Sequence, residues 1–344
     1  MTALITNHNY GRFLSAAIDS ALAQSHTPLE VLVVDDGSSD ASREILAGYG
    51  TLIRTILKEQ GGQASAFNAG FAAARGELIC FLDADDLWLP EKVVRVIEAH
   101  REGPVLVCHD LTLVYEDGQT GPASSWCLAT NTSLARGRVI PELLAEGAGW
   151  RFSPTSGMSI TRAVAQALAP LPETDWPICA DNPVAYAAAW LGRVGALEQA
   201  LGVYRVHGNN RFLLASGLDN WIIRFRSVED PARRLAYLKD FARRHGGQAP
   251  TLELRDRYFY CREWSFLTRP LPILDLPRLW RANLRARQAR AASWLSLPWS
   301  LLWDTLAAFG ISLGVPSPWS ELRRRYAPRR AEAGGGLPPP LPRA

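Results

Sequence analysis

Cysteine is scarce in this chain. There are five in 344 residues (Cys80, Cys108, Cys127, Cys179 and Cys261), with no C-x-x-C pair among them. With Cys80 and Cys108 inside apolar runs, the pattern suits reduced core thiols of a cytosolic protein better than disulfides or zinc. Charge of one sign is lacking too: a net charge of +3 is too small to argue for nucleic acid as a partner. The N-terminus enters a strand pattern almost at once, without a basic-apolar-small cleavage pattern, so no signal peptide is expected. There is no internal repeat. The one long apolar stretch, near the C-terminus, is interrupted by Pro298 and Asp304, which argues against a full membrane span.

What is present is alternation. Strand patterns at Thr2–Ile5, Leu29–Val34, Leu52–Leu57, Leu78–Leu82 and Val105–Cys108 are separated by helical ones. The helices run over Gly11–Gln24, from a cap at Ser39 or Asp40 to Gly48, through an Ala-rich segment ending at Gly76, and over Pro90–Arg101. Gly11–Gln24 repeats its apolar positions (Phe13, Leu14, Ala17, Ile18, Ala21, Leu22) every three to four residues. This spacing predicts βαβ units and a mostly parallel sheet flanked by helices. Residues 110–210 are less regular, with a hairpin around Glu116-Asp117-Gly118, a loop at Ser153–Gly157 and a helix near Asn182–Leu191. Residues 218–300 read as largely helical, and the Gly-Pro tail from Gly334 as disordered. The expected division is 1–215 (halves 1–115 and 116–215), a helical extension over 216–330, and a tail over 331–344.

The chemistry concentrates in Asp83-Ala84-Asp85-Asp86, directly behind the apolar run Leu78–Leu82. A run of that kind is a strand buried on both faces, and ligands of open α/β sheets gather at such strand ends. Three mutually repelling carboxylates call for a cation, and oxygen donors favour Mg²⁺ or Mn²⁺, which shares its other positions with phosphate oxygens. The competing reading is an acidic turn and helix cap. Val34-Asp35-Asp36-Gly37-Ser38 is a second acidic strand end. One of its acids can accept from a base N–H, while an Asx-type turn accounts for the other. Gly61-Gly62-Gln63 opens a helix whose free N–H groups could face an anion, although it is neither G-x-G-x-x-G nor a Walker loop.

Thr6-Asn7-His8-Asn9-Tyr10, Val34–Ser38, the Gly62-Gln63 helix with Asn68 and Gly70, and Phe81–Asp86 follow one another in an order and spacing that resembles the family 2 glycosyltransferases. The match is strongest over residues 2–115 and looser to about 210. The resemblance implies a GT-A fold, a nucleotide-diphosphate sugar donor (a UDP-sugar by default) and transfer with inversion to an acceptor hydroxyl. It implies a metal-dependent hexosyltransferase of bacterial cell-surface polysaccharide or glycolipid synthesis. Thr6, His8 and Asp36 would line the base pocket, Asn68 would belong to the nucleotide-sugar site, and Asp83 would meet the ribose. Asp85 would hold the metal, with Asp86 behind it. Phe67 stands where the family frequently has Arg, and His8 where Tyr is common.

An inverting displacement needs a carboxylate to take the acceptor proton. Asp181, in Cys179-Ala180-Asp181-Asn182, is the candidate, with Asp175 in reserve. The family frequently shows Glu-Asp there, ahead of a Tyr-Arg-x-His segment, which this chain has as Tyr204-Arg205-Val206-His207. By resemblance Arg205 lies near the donor diphosphate, His207 touches the metal, and Ser153–Met158 is an acceptor-side loop. Further on, Arg278, Arg281, Arg285, Arg287 and Arg290 precede the Trp-rich stretch Trp294–Trp303. This suits either a helix in the lipid headgroup layer or a helical pair packed on the main domain. The first reading puts a cytoplasmic protein on the inner face of the membrane, with a lipid-linked sugar or glycan as acceptor. Two rivals remain: a non-catalytic sugar-nucleotide-binding or scaffold protein on the same fold, and a nucleotidyltransferase.

Overall fold

The computed structural model describes residues 1–26, 29–115, 118, 125–130, 133–143, 151–207, 210, 233–246, 276–277, 280–281 and 305. The tip of the expected hairpin, most of the C-terminal extension and the tail lie outside the described residues. The chain divides into two units. The first spans 1–143, 148–215 and 237–249, and the second 144–147, 216–236 and 250–344. Every candidate site residue belongs to the first.

That unit is built on one eight-stranded sheet. Its strands are β1 (Thr2–Asn7), β2 (Glu30–Asp36), β3 (Arg54–Lys58), β4 (Leu78–Asp83), β5 (Leu87–Trp88), β6 (Leu106–Tyr115), β7 (Met158–Thr161) and β8 (Val194–Val206). The helices are α1 (Gly11–Leu22), α2 (Ser42–Gly48), α3 (Gln63–Ala73), α4 (Lys92–Arg101), α5 (Trp126–Thr130), α6 (Ile140–Leu143), α7 (Arg162–Leu168) and α8 (Asp181–Leu191). The strand order is β3-β2-β1-β4-β7-β6-β8-β5. The first four strands in that order pair in parallel. The other half is mixed: β7 runs antiparallel to both β4 and β6, β6 and β8 are parallel, and β5 is antiparallel to β8. The sheet is mostly parallel, as expected, with the short strands β5 and β7 supplying the antiparallel pairings. β7 is four residues long and β5 two, too short to show a periodicity of their own.

The apolar runs are buried on both faces. Ala3, Ile5, Val31, Val33, Cys80 and Leu82 face one way, toward Leu14, Ala17, Ile18 and Ala21 of α1 and Val93 and Val96 of α4. On the other face Phe81 stacks with Phe67 of α3, ring centroids 4.9 Å apart. Register then levels the strand ends: Thr6 pairs with Val34 and Asp83, and Asn7 with Asp35. Two helix boundaries differ from expectation, for one reason. The Gln24 side-chain amide reaches the Leu89 carbonyl at 2.9 Å and accepts from Val93 N–H at 3.0 Å. Gln24 thus leaves α1 to cap α4, which starts at Lys92 and not at Pro90. Asp40 serves α2 as expected, accepting from Ser42 N–H at 3.0 Å.

The start of α3 is closed by another segment. Gln63 N–H donates to the Pro177 carbonyl at 2.9 Å and Ala64 N–H to that of Trp176 at 3.1 Å. The expected anion-facing donors are thus taken by carbonyls. Gly62 sits at φ 88° and ψ 177°, a backbone region open only to glycine. A Cβ there would lie 2.6 Å from Pro177 Cα. Gly62→Ala is expected to lower the unfolding free energy by about 2 kcal/mol or more, measured by urea denaturation.

Candidate active site

Two loops meet at the end of β2. Asp35 is the structural acid of its pair. It is fully buried, accepts from Ser38 N–H at 3.1 Å in an Asx turn, and takes the Asn7 amide at 2.8 Å and Arg43 Nε at 3.3 Å. Asp36 points the other way and ties down the glycine turn. Its carboxylate accepts from Lys58 Nζ at 2.6 Å, Gly61 N–H at 2.9 Å and Gly62 N–H at 2.7 Å. His8 Nδ1 lies 2.7 Å from the Asp36 carbonyl and its Nε2 3.1 Å from the Gln60 amide nitrogen.

The acidic turn stands at the end of β4. Asp83, Asp85 and Asp86 each offer an oxygen, all within 4.8 Å of one another. Thr6 Oγ1 is 3.5 Å from Asp83 Oδ1, and Gln63 Nε2 3.4 Å from the same oxygen. Burial, with the charges of Asp85 and Asp181, pushes the Asp83 carboxyl up to about 8. Asp86, 1% exposed, is raised well above the ordinary carboxylate range by burial and by its two acidic neighbours. It accepts from Ser156 Oγ at 2.6 Å and from Arg205 N–H at 3.0 Å, one donor to each oxygen.

The second half of the unit closes around this turn. Arg205 is wedged against the Phe13 ring at 4.7 Å and donates to the backbone carbonyls of Asp85, Asp86 and Phe13. These bonds make it a support of the turn. His207 Nε2 lies 3.2 Å from Asp85 Oδ2, and its Nδ1 3.4 Å from Arg12 Nη2. A guanidinium can only donate, so Nδ1 accepts and the proton sits on Nε2. His207 thus stands beside the acidic turn, with Nε2 directed at the Asp85 carboxylate. Asp181 opens α8, with its Oδ1 3.2 Å from the Asn182 amide. Its charge is felt at Asp83, and Gln63 joins the two sides by accepting from Ala180 N–H at 2.9 Å. Asp175 is exposed.

Asn68 is not brought to this site. Its amide donates to the Leu171 carbonyl and the Glu173 carboxylate, both at 3.0 Å, and accepts from Leu171 N–H at 2.7 Å, so it clamps a loop. Lys58 and Lys92 were missed as parts of the site, and Gln63 and Ser156 lay in the motifs singled out but without a role of their own. Lys92 left one trace, as a lysine one turn before Val96 on the buried face of α4. The donor set fits a hard dication. It is all oxygen, Asp86 is satisfied from within, and the nearby Lys92 and Arg205 direct their hydrogen bonds to backbone carbonyls and not to Asp83 or Asp85.

The comparisons with known proteins agree with this geometry. The family described as Glycosyl transferase family 2 matches residues 2–153. A protein of Nostoc sp. described as an uncharacterized glycosyltransferase is 38% identical over 221 residues, 63% of this chain and 67% of that protein. The chain belongs to glycosyl transferase family 2 and is a glycosyltransferase of GT-A-like fold. The succinoglycan biosynthesis protein ExoO of Rhizobium meliloti is 37% identical over 123 residues, 35% of either chain. Among solved structures, S. aureus TarS 1-349 in complex with UDP has a similar fold. Its TM-score is 0.51 at 18% identity, covering 95% of this chain and 91% of that one.

The raised Asp83 carboxyl has a consequence for stability. The folded chain holds a proton there that the unfolded chain releases near its ordinary value of 3.8. Asp83 therefore contributes stability at low pH that is lost as pH rises toward about 8. In the presence of EDTA, Asp83→Asn is expected to raise the thermal unfolding midpoint over the parent at pH 8, with the gap closing by pH 5.

Proposed function

We propose that this glycosyltransferase moves a sugar from a nucleotide-diphosphate sugar to an acceptor hydroxyl, with inversion, in the assembly of a cell-surface polysaccharide or glycolipid. The observation that carries the reading is the meeting of two acidic groups from distant parts of the chain. The Asp83–Asp86 turn and Asp181 are joined through Gln63, which contacts Asp83 Oδ1 and the backbone one residue before Asp181. The UDP in the TarS structure supports a uridine donor as the first to test, and the naming of ExoO for succinoglycan biosynthesis supports a polysaccharide product. With such a product, the proposed location is the cytoplasm, at the inner face of the membrane. No helix among the described residues is long and apolar enough to cross one.

Asp83 and Asp85 would hold Mg²⁺ or Mn²⁺, with His207 orienting Asp85. When bound, the ion supplies positive charge against the departing diphosphate. Asp181 takes the proton of the acceptor hydroxyl. The freed oxygen pair forms the new bond to the anomeric carbon from the face opposite the diphosphate. The bond to the diphosphate breaks, and its electron pair leaves with the nucleoside diphosphate. Asp36 serves the nucleoside side by fixing the Gly61-Gly62 turn, and Arg205 keeps the acidic turn in place from behind.

Asp85→Ala and Asp181→Asn are each expected to cut turnover of a radiolabelled donor at least ~100-fold, the scale of losing a general base or a charge-stabilising group. Asp181→Asn should retain Mn²⁺ and donor binding, whereas Asp85→Ala should lose the metal. Near-normal turnover by folded Asp181→Asn would remove that residue from the mechanism. Failure of the parent protein to hydrolyse or transfer any nucleotide sugar with Mn²⁺ would favour the non-catalytic rival.

A further inference from the structure

Beneath the acidic turn lies a buried polar strut that the mechanism above does not use. Ser156, fully buried, sits in the short 3-10 turn Thr155–Gly157. Its hydroxyl accepts from Asp83 N–H at 3.0 Å and donates to Asp86 Oδ2 at 2.6 Å. One oxygen thereby ties the first and last acids of the turn together. The Ser156 carbonyl accepts from Lys92 Nζ at 3.1 Å, and the same ammonium reaches the Phe81 carbonyl, two residues before Asp83, at 3.4 Å. Lys92 is 0% exposed, with its Nζ 3.5 Å from the centroid of the Trp88 ring. The Lys92 amine thus stands under the acidic turn, fixed to the strand on one side and to the serine turn on the other.

Three acidic side chains crowded into four residues, left unsupported, tend to splay. A dication meeting a splayed turn must gather its ligands and lose the entropy of ordering them. A turn already pinned at both ends avoids that cost, as partners behind metal ligands do generally. We propose that Ser156 and Lys92 are positioning residues that preorganise Asp83 and Asp85 for the dication, and that the Ser153–Met158 segment supports the donor side of the site, where acceptor contact was expected of it. The inference rests on the metal reading above.

Ser153, in the same segment, provides the contrast. It is equally buried, but its hydroxyl has no hydrogen-bond partner among the described residues. Mn²⁺ binding to the full chain, without donor, is measured by titration calorimetry, and thermal unfolding in EDTA is followed in parallel. Ser156→Ala and Lys92→Met are expected to weaken Mn²⁺ binding by about 10-fold or more, the scale of losing such a supporting partner, while Ser153→Ala stays within about twofold of the parent. The Mn²⁺ concentration for half-maximal activity should rise in parallel, with turnover at saturating Mn²⁺ largely kept. Unchanged Mn²⁺ affinity in Ser156→Ala, with Asp85→Ala unable to bind, overturns this inference and leaves the metal reading standing. Equal weakening by Ser153→Ala and Ser156→Ala reports a general loosening of the segment and also overturns it. Mn²⁺ binding by Asp85→Ala at the affinity of the parent overturns the metal reading itself.

Discussion

The mutual repulsion of three carboxylates in one tight turn is the constraint around which the rest of the site is arranged. The protein resolves it unequally. Asp86 is drawn inward, one oxygen to Ser156 and the other to the Arg205 backbone, and is all but removed from solvent. Asp83 and Asp85 are left with weaker partners: Thr6 and Gln63 at 3.4–3.5 Å, and His207 at 3.2 Å. A buried carboxylate with a donor to each oxygen is a structural element, whereas one held up toward pH 8 by its neighbours is a site waiting for charge. The turn separates these roles within four residues. Its two cations are placed so that they do not compete with a ligand, because both direct their hydrogen bonds to backbone carbonyls.

The second constraint is that the two halves of the sheet must meet at the same edge. β7 does this by running antiparallel between β4 and β6, bringing Ser156, just before it, under Asp83. The latch at the start of α3 does it again. Gly62 permits Pro177 to approach, the first N–H groups of α3 bond the 176–177 carbonyls, and the Gln63 side chain spans to Ala180. Cys179, at φ 57°, then turns the chain into α8.

The parallel half was legible because β1, β2 and β4 are runs of apolar residues that end at polar turns, and α1 has a 3.6-residue period. Beyond it the helix expected near Asn182–Leu191 is found as α8, whereas β7 was not legible, because it is too short for a period and its partners lie far away in sequence. In the site, the acids were legible and their division of labour was not. Asp35 and Asp36 are neighbours of one type, yet one closes an Asx turn and the other pins a glycine loop, a difference set by Asn7 and Gly61, residues distant in sequence. For Asn68, a motif position says which helix a residue is on and not where its amide finds a partner. Here that partner is Leu171, more than a hundred residues away.

Asp36 shows how much a motif residue can do through the backbone it organises. Its two oxygens already take three donors, among them an ammonium at 2.6 Å. A base N–H seeking the same carboxylate would have to displace or share one of them, and breaking the buried Lys58 contact would leave a poorly solvated charge. The backbone Asp36 organises is the better instrument. With Gly61 and Gly62 pinned and the His8 ring held between the Asp36 carbonyl and Gln60, the loop presents a fixed edge of peptide and imidazole beside the acidic turn. A rigid edge of this kind discriminates by shape and by its remaining donors, and it does so without rearranging a buried ion pair each time a ligand arrives.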